Sequence, residues 1–340
     1  MIGRRAFLRG LTVAGATALL RPTGAGAEPP PETTRLRLFR WRSLCVTPQF
    51  VAEDLLKAEG FTDVQYVETP DGRGPERALA SGDVDINSQY SAPLIVRIDA
   101  GAPVVFLGGL HVGCFELFAK SDIKTIRDLK GKVVAVPELG SVQHVFVSTI
   151  VAQVGLDPRK DVQFAAMASA EGIRRLTEGS IDAFLGFPPD PLELRKRNVG
   201  QVLLNSTVDR PWSQYFCCMV AGNREFVRKH PVATKRALRA LLKANQLCAL
   251  EPERAAQRVV DGGFVGYLTA ASPRERYDYT LQTLKSIPYA RWREYDPEDT
   301  IRFYALRLRE AGMIASTPQK ILTQGTDWRF LNELKKELKG

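Results

Sequence analysis

The stretch LKGKVVAVPELGSVQHVFVSTIVAQVGL, residues 129–156, decides the fold. Val133-Val134-Ala135-Val136 is a short apolar run that stops at Pro137, which reads as a buried strand ended by a residue that cannot donate to a ladder. Ser141 then opens a helical pattern with Val142, Val145, Phe146, Ile150 and Val154 on one face. Gly155 stands where a helix C-terminus favours a left-handed residue. The unit is strand, turn, helix, and its turn holds no nucleophile paired with a base.

The same grammar occurs earlier in the chain. Asp63-Val64-Gln65-Tyr66 matches Asp161-Val162-Gln163-Phe164, and each follows a helix ending in Gly plus an apolar residue (Gly60-Phe61, Gly155-Leu156). Each is followed by Leu-x-x-Gly-x-[Val/Ile]-Asp, at Leu79 to Asp85 and at Leu176 to Asp182. Strands alternating with helices favour right-handed βαβ units. The duplication therefore predicts two similar α/β lobes with mainly parallel sheets flanked by helices. Lobe 1 is expected over 35–113 and 222–340, and lobe 2 over 114–221. Apolar runs near 106–118 and 214–221 predict a two-strand hinge. The helical, basic segment from Asn223 onward carries no further strand grammar and is expected to pack back on lobe 1.

Composition sets the class. At 340 residues, 44% hydrophobic and 25% charged, this is an ordinary globular chain with room for two cores. The formal charge is +9, of which four arginines (Arg4, Arg5, Arg9, Arg21) lie in residues 1–27, a segment without acids, leaving +5 for the rest. No run of like charge suggests nucleic-acid binding. Gly3-Arg4-Arg5-Ala6-Phe7-Leu8-Arg9, a weakly apolar stretch from Leu11 to Leu20, and Ala25-Gly26-Ala27 have the order of an export leader cleaved near Ala27. The paired arginines are similar to the signal read by the twin-arginine export machinery. A periplasmic product with no stable membrane insertion is expected, with 28–34 as a Pro-rich spacer. The five cysteines show no C-x-x-C spacing and the three histidines are scattered, so neither a metal site nor a cofactor is expected.

In open α/β sheets, ligands sit beyond the carboxyl ends of the strands, where helix starts offer free amides. Three turns fit that place: Trp41 to Pro48, with Thr47 as a cap; Asn87 to Pro93, with Ser91 as a cap; and Pro137 to His144, with Ser141 as a cap. Trp41, Tyr90, Phe187, Tyr215 and Phe216 supply aromatic faces. Arg42 is placed either to meet an anionic head or to sit solvated at a strand edge.

Ile126-Arg127-Asp128-Leu129-Lys130-Gly131-Lys132-Val133-Val134-Ala135-Val136-Pro137 with Gly140, Ser141 and His144 resembles the periplasmic substrate-binding proteins of ABC transporters, in the branch serving nitrate, sulfonates, taurine and thiamine-precursor pyrimidines (NMT1/THI5-like). Leu79 to Asp85, Ala100-Gly101-Ala102-Pro103, Leu176 to Asp182 and Gly325-Thr326-Asp327-Trp328-Arg329 support the resemblance over roughly residues 35 to 335. It implies a type II periplasmic-binding fold closing over a small solute, which is handed to a permease, and a monomer. The implied ligand shell is Ser43, Ser88, Gln89, Gly140, Ser141, Gln143 and His144. Phe187 and Pro188 stand where the family often has Trp-Glu-Pro, and the missing Glu disfavours a cationic ligand group there. With Trp41, Arg42, Tyr90, His111 and Tyr215 this completes the candidate ligand-binding set. His144 is expected to donate a hydrogen bond to ligand or backbone.

Two rival functions use the same scaffold. An enzyme of the thiamine-pyrimidine synthase type would need a lysine positioned for a Schiff base, and no lysine lies in the three turns. A ligand-sensing protein would use the same cleft. Cys114 and the Cys217-Cys218 pair fall on the two hinge strands and are expected to lie near each other, with a bridge from Cys114 to either left open.

Overall fold

The structure is a computed structural model, and it describes residues 28–68, 74–266, 268 and 271–338. The expected leader, its paired arginines and the expected cleavage site at Ala27 lie outside the described residues. The first unit runs β1 (Arg35–Phe39), α1 (Thr47–Val51), α2 (Glu53–Ala58), β2 (Asp63–Val67), α3 (Pro75–Ser81), β3 (Ile86–Tyr90), α4 (Ser91–Asp99) and β4 (Val104–Val112). The second runs β5 (Glu116–Ala119), β6 (Val133–Val136), α5 (Val142–Gln153), β7 (Gln163–Ala166), α6 (Ser169–Thr177), β8 (Ala183–Gly186), α7 (Asp190–Lys196) and β9 (Gln201–Asn205). The chain returns through β10 (Phe216–Asn223) to α8 (Arg224–Lys229), α9 (Pro231–Leu250), α10 (Pro252–Asp261), α11 (Pro273–Ser286), α12 (Pro297–Glu310), α13 (Pro318–Gly325) and α14 (Arg329–Glu337).

The sheets are α/β in character, with a twist of topology that the repeat did not show. β1 pairs with β2 in parallel, and β6 pairs in parallel with both β7 and β8. The two strands that follow the crossings run the other way. β10 lies between β3 and β4, antiparallel to both, and β5 lies between β8 and β9, antiparallel to both. Each is a strand that enters a sheet from the opposite unit.

The repeated Leu-x-x-Gly-x-[Val/Ile]-Asp motif has a physical reason in both units. Gly82 and Gly179 end α3 and α6 at φ of 80° and 74°, the left-handed region that side chains avoid. The aspartate three residues later locks the next strand to its neighbour. Asp85 Oδ2 accepts from Arg37 N at 2.8 Å, while Asp85 N donates to Arg37 O at 2.8 Å. Asp182 Oδ2 accepts from Val133 N at 2.9 Å, while Asp182 N donates to Val133 O at 2.9 Å. Each carboxylate also holds a cation: Arg37 Nη2 at 2.6 Å and Lys120 Nζ at 2.7 Å. The carboxylate completes a ladder that the turn would leave open.

The C-terminal helices cover the first unit. α9 packs on α1 and α2, and α12 lies on α4 but also reaches α5 of the second unit. Arg239 on α9 gathers three acids, Glu59 at 2.6 Å, Glu28 at 2.8 Å and Glu337 at 3.2 Å, so both ends of the described chain are tied to one helix. Among the described residues no helix is long and apolar enough to cross a membrane.

Asp85 is the more buried of the two locks, with side-chain exposure of 7% against 15% for Asp182. Asp85→Ala strands Arg37 and its amide, so urea unfolding is expected to show a loss of about 3 kcal/mol. Asp182→Ala should lose about 1–2 kcal/mol. Equal, negligible losses would show that the ladders hold without the carboxylates.

Candidate functional site

A cleft of about 660 Å3 lies between the two units. One wall comes from the second unit: Ser169 and Ile173 on α6, Phe187, Pro189, and Asp190, Glu193, Lys196 and Arg197 on and after α7. The other wall comes from Arg42, beyond the carboxyl end of β1, and from Leu268, Ala271, Glu275 and Tyr279 before and on α11. Two contacts bridge the mouth: Tyr279 OH donates to Glu193 Oε2 at 3.1 Å, and Lys196 Nζ lies 3.5 Å from Glu275 Oε1. Arg42 is 70% exposed and meets Glu68 only at 3.8 Å, a solvated pair of little strength. Three cations, an apolar floor and a small set of acids therefore line one concavity.

Asp190 opens α7 directly after Pro189. Burial pushes its carboxyl up to about 7, against a hydrogen bond from Ser169 that pulls it down. The Asp190 carboxyl is therefore held largely protonated below neutral pH.

Beneath the cleft the units meet through aromatic rings. Tyr90 lies edge-on to Phe115, Phe146 and Tyr304 at 5.1, 5.3 and 5.6 Å between centroids. Phe115 contacts Phe187 at 6.0 Å, and Trp212 contacts Phe146 at 5.2 Å and Phe303 at 5.1 Å. Rings from both units interlock as one continuous core.

Of the residues expected to bind ligand, Arg42 and Phe187 line the cleft, with Pro188 buried beside them. Trp41 is half-buried against the core, and Tyr215 stacks on Phe303 at 4.0 Å. Ser43, Ser88, Gln89, Tyr90, His111 and Gln143 are buried and do not line this cleft. Ser141 caps α5, its Oγ accepting from His144 N at 3.3 Å. His144 Nδ1 accepts from Gly140 N at 3.0 Å rather than donating, and burial lowers the imidazole's affinity for a proton. The other two expected caps do not form. Thr47 Oγ1 donates to Leu44 O at 2.7 Å, and Ser91 Oγ donates to the carbonyls of Phe216 and Cys217 at 3.4 Å. Both hydroxyls donate to carbonyls, and neither accepts from a helix amide.

Asn87 Oδ1, Ser88 Oγ, Gln89 Nε2, Tyr90 OH and His111 Nε2 are buried polar atoms without a hydrogen-bond partner. Four of the five sit on β3, a concentration that ordinary cores avoid. Close by, Cys114 Sγ lies 3.2 Å from Cys217 Sγ with both thiols free, and the sulfurs of Cys45, Cys114 and Cys218 lie within 4.8 Å of one another.

Ser169, Asp190, Lys196 and Arg197 were not among the expected residues. Ser169 and Asp190 open helices after β7 and β8, the same strand-end rule that selected Ser141, so the signal was present. Glu275 and Tyr279 come from the helical tail, and nothing local marks them.

Residues 47–255, more than half of the chain, match the family described as NMT1/THI5 like. The chain belongs to that family. It is 28% identical over 204 residues to the taurine-binding periplasmic protein of Escherichia coli (strain K12), spanning 59% of this chain and 62% of that relative. It is 33% identical over 102 residues to the bicarbonate-binding protein CmpA of a Synechococcus species, spanning 30% of this chain and 22% of that one. The chain thus matches less than two thirds of either relative's length. Among solved structures it is similar to the periplasmic nitrate-binding protein NrtA from Synechocystis PCC 6803 (TM-score 0.70, 17% identity, covering 92% of this chain and 90% of that one). It is also similar to the aliphatic sulphonate-binding protein SsuA from Escherichia coli (TM-score 0.62, 21% identity, covering 87% and 94%). The family member therefore has the periplasmic-binding-protein fold.

Because its folded carboxyl holds a proton that the unfolded chain releases near 3.8, Asp190 contributes stability that is present below that value and is lost as pH rises through about 7. Urea midpoints of the parent should therefore fall, relative to Asp190→Asn, between pH 4 and 7, and the gap should stay constant above that. A gap independent of pH would mean that Asp190 ionises normally.

Proposed function

We propose that this chain is the solute-binding component of an ABC importer, holding a small anionic or aromatic-organic solute (a sulfonate, a carboxylate or a pyrimidine) in the cleft between its units and delivering it to a permease. The observation that carries the reading is the cleft wall itself, where Arg42 of one unit faces Lys196 and Arg197 of the other across about 660 Å3. Cations from two facing walls suit an anionic head, and Phe187, Ile173 and Pro189 suit an apolar or flat body. Family membership and the names of the relatives, which bind taurine, bicarbonate, nitrate and sulfonates, support the same class of solute.

Capture by two walls needs closure and no covalent step. The part-buried Tyr279–Glu193 hydrogen bond and the exposed Lys196–Glu275 pair are single links that an opening motion breaks at small cost. The leader-like residues 1–27 support delivery of a monomer to the periplasm through the twin-arginine route.

Thermal melts with taurine, alkanesulfonates, nitrate, aromatic carboxylates and pyrimidines test the reading. At least one should raise Tm, with Arg42→Ala weakening the same ligand about tenfold or more by titration calorimetry and leaving the ligand-free Tm unchanged. Indifference to every solute, or conversion of a bound solute to product, would remove the importer reading.

A further inference from the structure

Four chemistry-bearing side chains from three distant segments meet at the root of the crossings, away from the cleft wall. Cys45 lies in the single turn before α1, His111 and Cys114 at the end of β4 and just after it, and Cys218 on β10. All four are buried, with exposures of 5%, 1%, 5% and 1%. The three sulfurs lie within 4.8 Å of one another. A tetrahedral zinc with thiolates at about 2.3 Å needs sulfurs about 3.8 Å apart, a contraction of no more than about 1 Å.

The imidazole supplies the second, independent observation. His111 Nδ1 lies 3.2 Å from Val112 O, and a carbonyl can only accept, so the proton sits on Nδ1. Nε2 then presents its lone pair, it has no hydrogen-bond partner, and the thiols of Cys218 and Cys45 are the polar groups facing it. A histidine whose far nitrogen is fixed by a carbonyl is the usual arrangement of a metal-ligating imidazole. The surroundings hold the cage in place. Ser43 Oγ lies 3.1 Å from Cys45 Sγ and can donate to a thiolate, and Tyr289 OH donates to Cys45 O at 2.9 Å. Asn245 Nδ2 donates to Leu110 O at 2.8 Å and to Tyr289 O at 2.6 Å. Cys114 itself is held at φ 115°, a conformation that non-glycine residues rarely adopt.

We propose that Cys45, His111, Cys114 and Cys218 form a binding site for one thiophilic divalent cation such as Zn2+. Three thiolates and one imidazole make a closed four-ligand set of the kind that fixes structure. Binding releases the three thiol protons and exchanges them for the cation. The ion links the first-unit turn at Cys45 to both crossing segments, so it stiffens the root of the hinge. Cys217, 3.2 Å from Cys114 on the other side, competes for the same sulfur under oxidation: a Cys114–Cys217 disulfide, formed with loss of two electrons to an external thiol oxidant, removes a ligand.

The test uses the full chain, purified under reduction, freed of metal with a chelator and titrated with Zn2+ against a chromophoric competitor. One equivalent is expected per chain, with a rise in Tm. Cys114→Ser, Cys218→Ser and His111→Ala should each lose stoichiometric uptake, whereas Cys248→Ser, buried outside the cluster, and Cys217→Ser should keep it. Oxidation to the disulfide should abolish uptake by the parent and leave Cys217→Ser unaffected. Co2+ added to the parent gives a reading that needs no variant: sulfur-to-cobalt charge-transfer bands with intense tetrahedral transitions support the site. A weak octahedral spectrum, no stoichiometric uptake by the reduced folded chain, or uptake indifferent to all three ligand variants would overturn it.

Discussion

β10 is the constraint on which the other parts depend. All eight of its residues are buried, and it hydrogen-bonds to β3 on one side and β4 on the other. A strand in that position must find a partner for every backbone group, because water cannot reach it. Its register therefore fixes Cys218 between Tyr90 and His111, and sets the residues before it on the path from the second unit. β5 imposes the same condition on the second sheet. The relation between the units, and all that lies between them, follows from these two insertions.

Between the units two kinds of surface serve different ends. The aromatic layer around Tyr90, Phe115, Phe146 and Trp212 is dry and close-packed, so it defines how far the units approach. Above it the cleft is mixed in charge and, among the described residues, bridged by one part-buried hydrogen bond and one exposed ion pair. A close-packed pivot beneath a weakly linked mouth is the arrangement that the proposed capture and release of a solute requires. Asp190 adds a carboxyl whose charge depends on pH near neutrality, so the charge seen by an anion in that cleft is adjustable.

Much of the fold was legible in the sequence because the duplication exposes it. The two Leu-x-x-Gly-x-[Val/Ile]-Asp motifs perform one local task, ending a helix and latching the next strand, and local tasks leave local signals. The candidate site was legible only in part. Arg42 and Phe187 line the cleft, and Ser141 caps its helix, as strand-end reasoning expects. Thr47 and Ser91 show why that reasoning does not extend further: each hydroxyl donates to a carbonyl, Thr47 to Leu44 in the preceding turn and Ser91 to β10 across the sheet, and neither caps its helix.

By itself the sequence determined the alternation of strands and helices and the duplicated α/β motifs, since these rest on residue spacing along one segment, and from the two apolar runs that carry them it anticipated that Cys114 lies near the Cys217-Cys218 pair. The tertiary structure alone decided the antiparallel entry of β5 and β10, the contribution of Glu275 and Tyr279 to the cleft, and the meeting of Cys45, Cys114 and Cys218 with His111 beside Cys218. The physical reason is range. Periodicity, capping and turn chemistry act over a few residues, whereas a sheet insertion or a four-ligand cage joins segments up to about 170 positions apart through burial and geometry that no local pattern records.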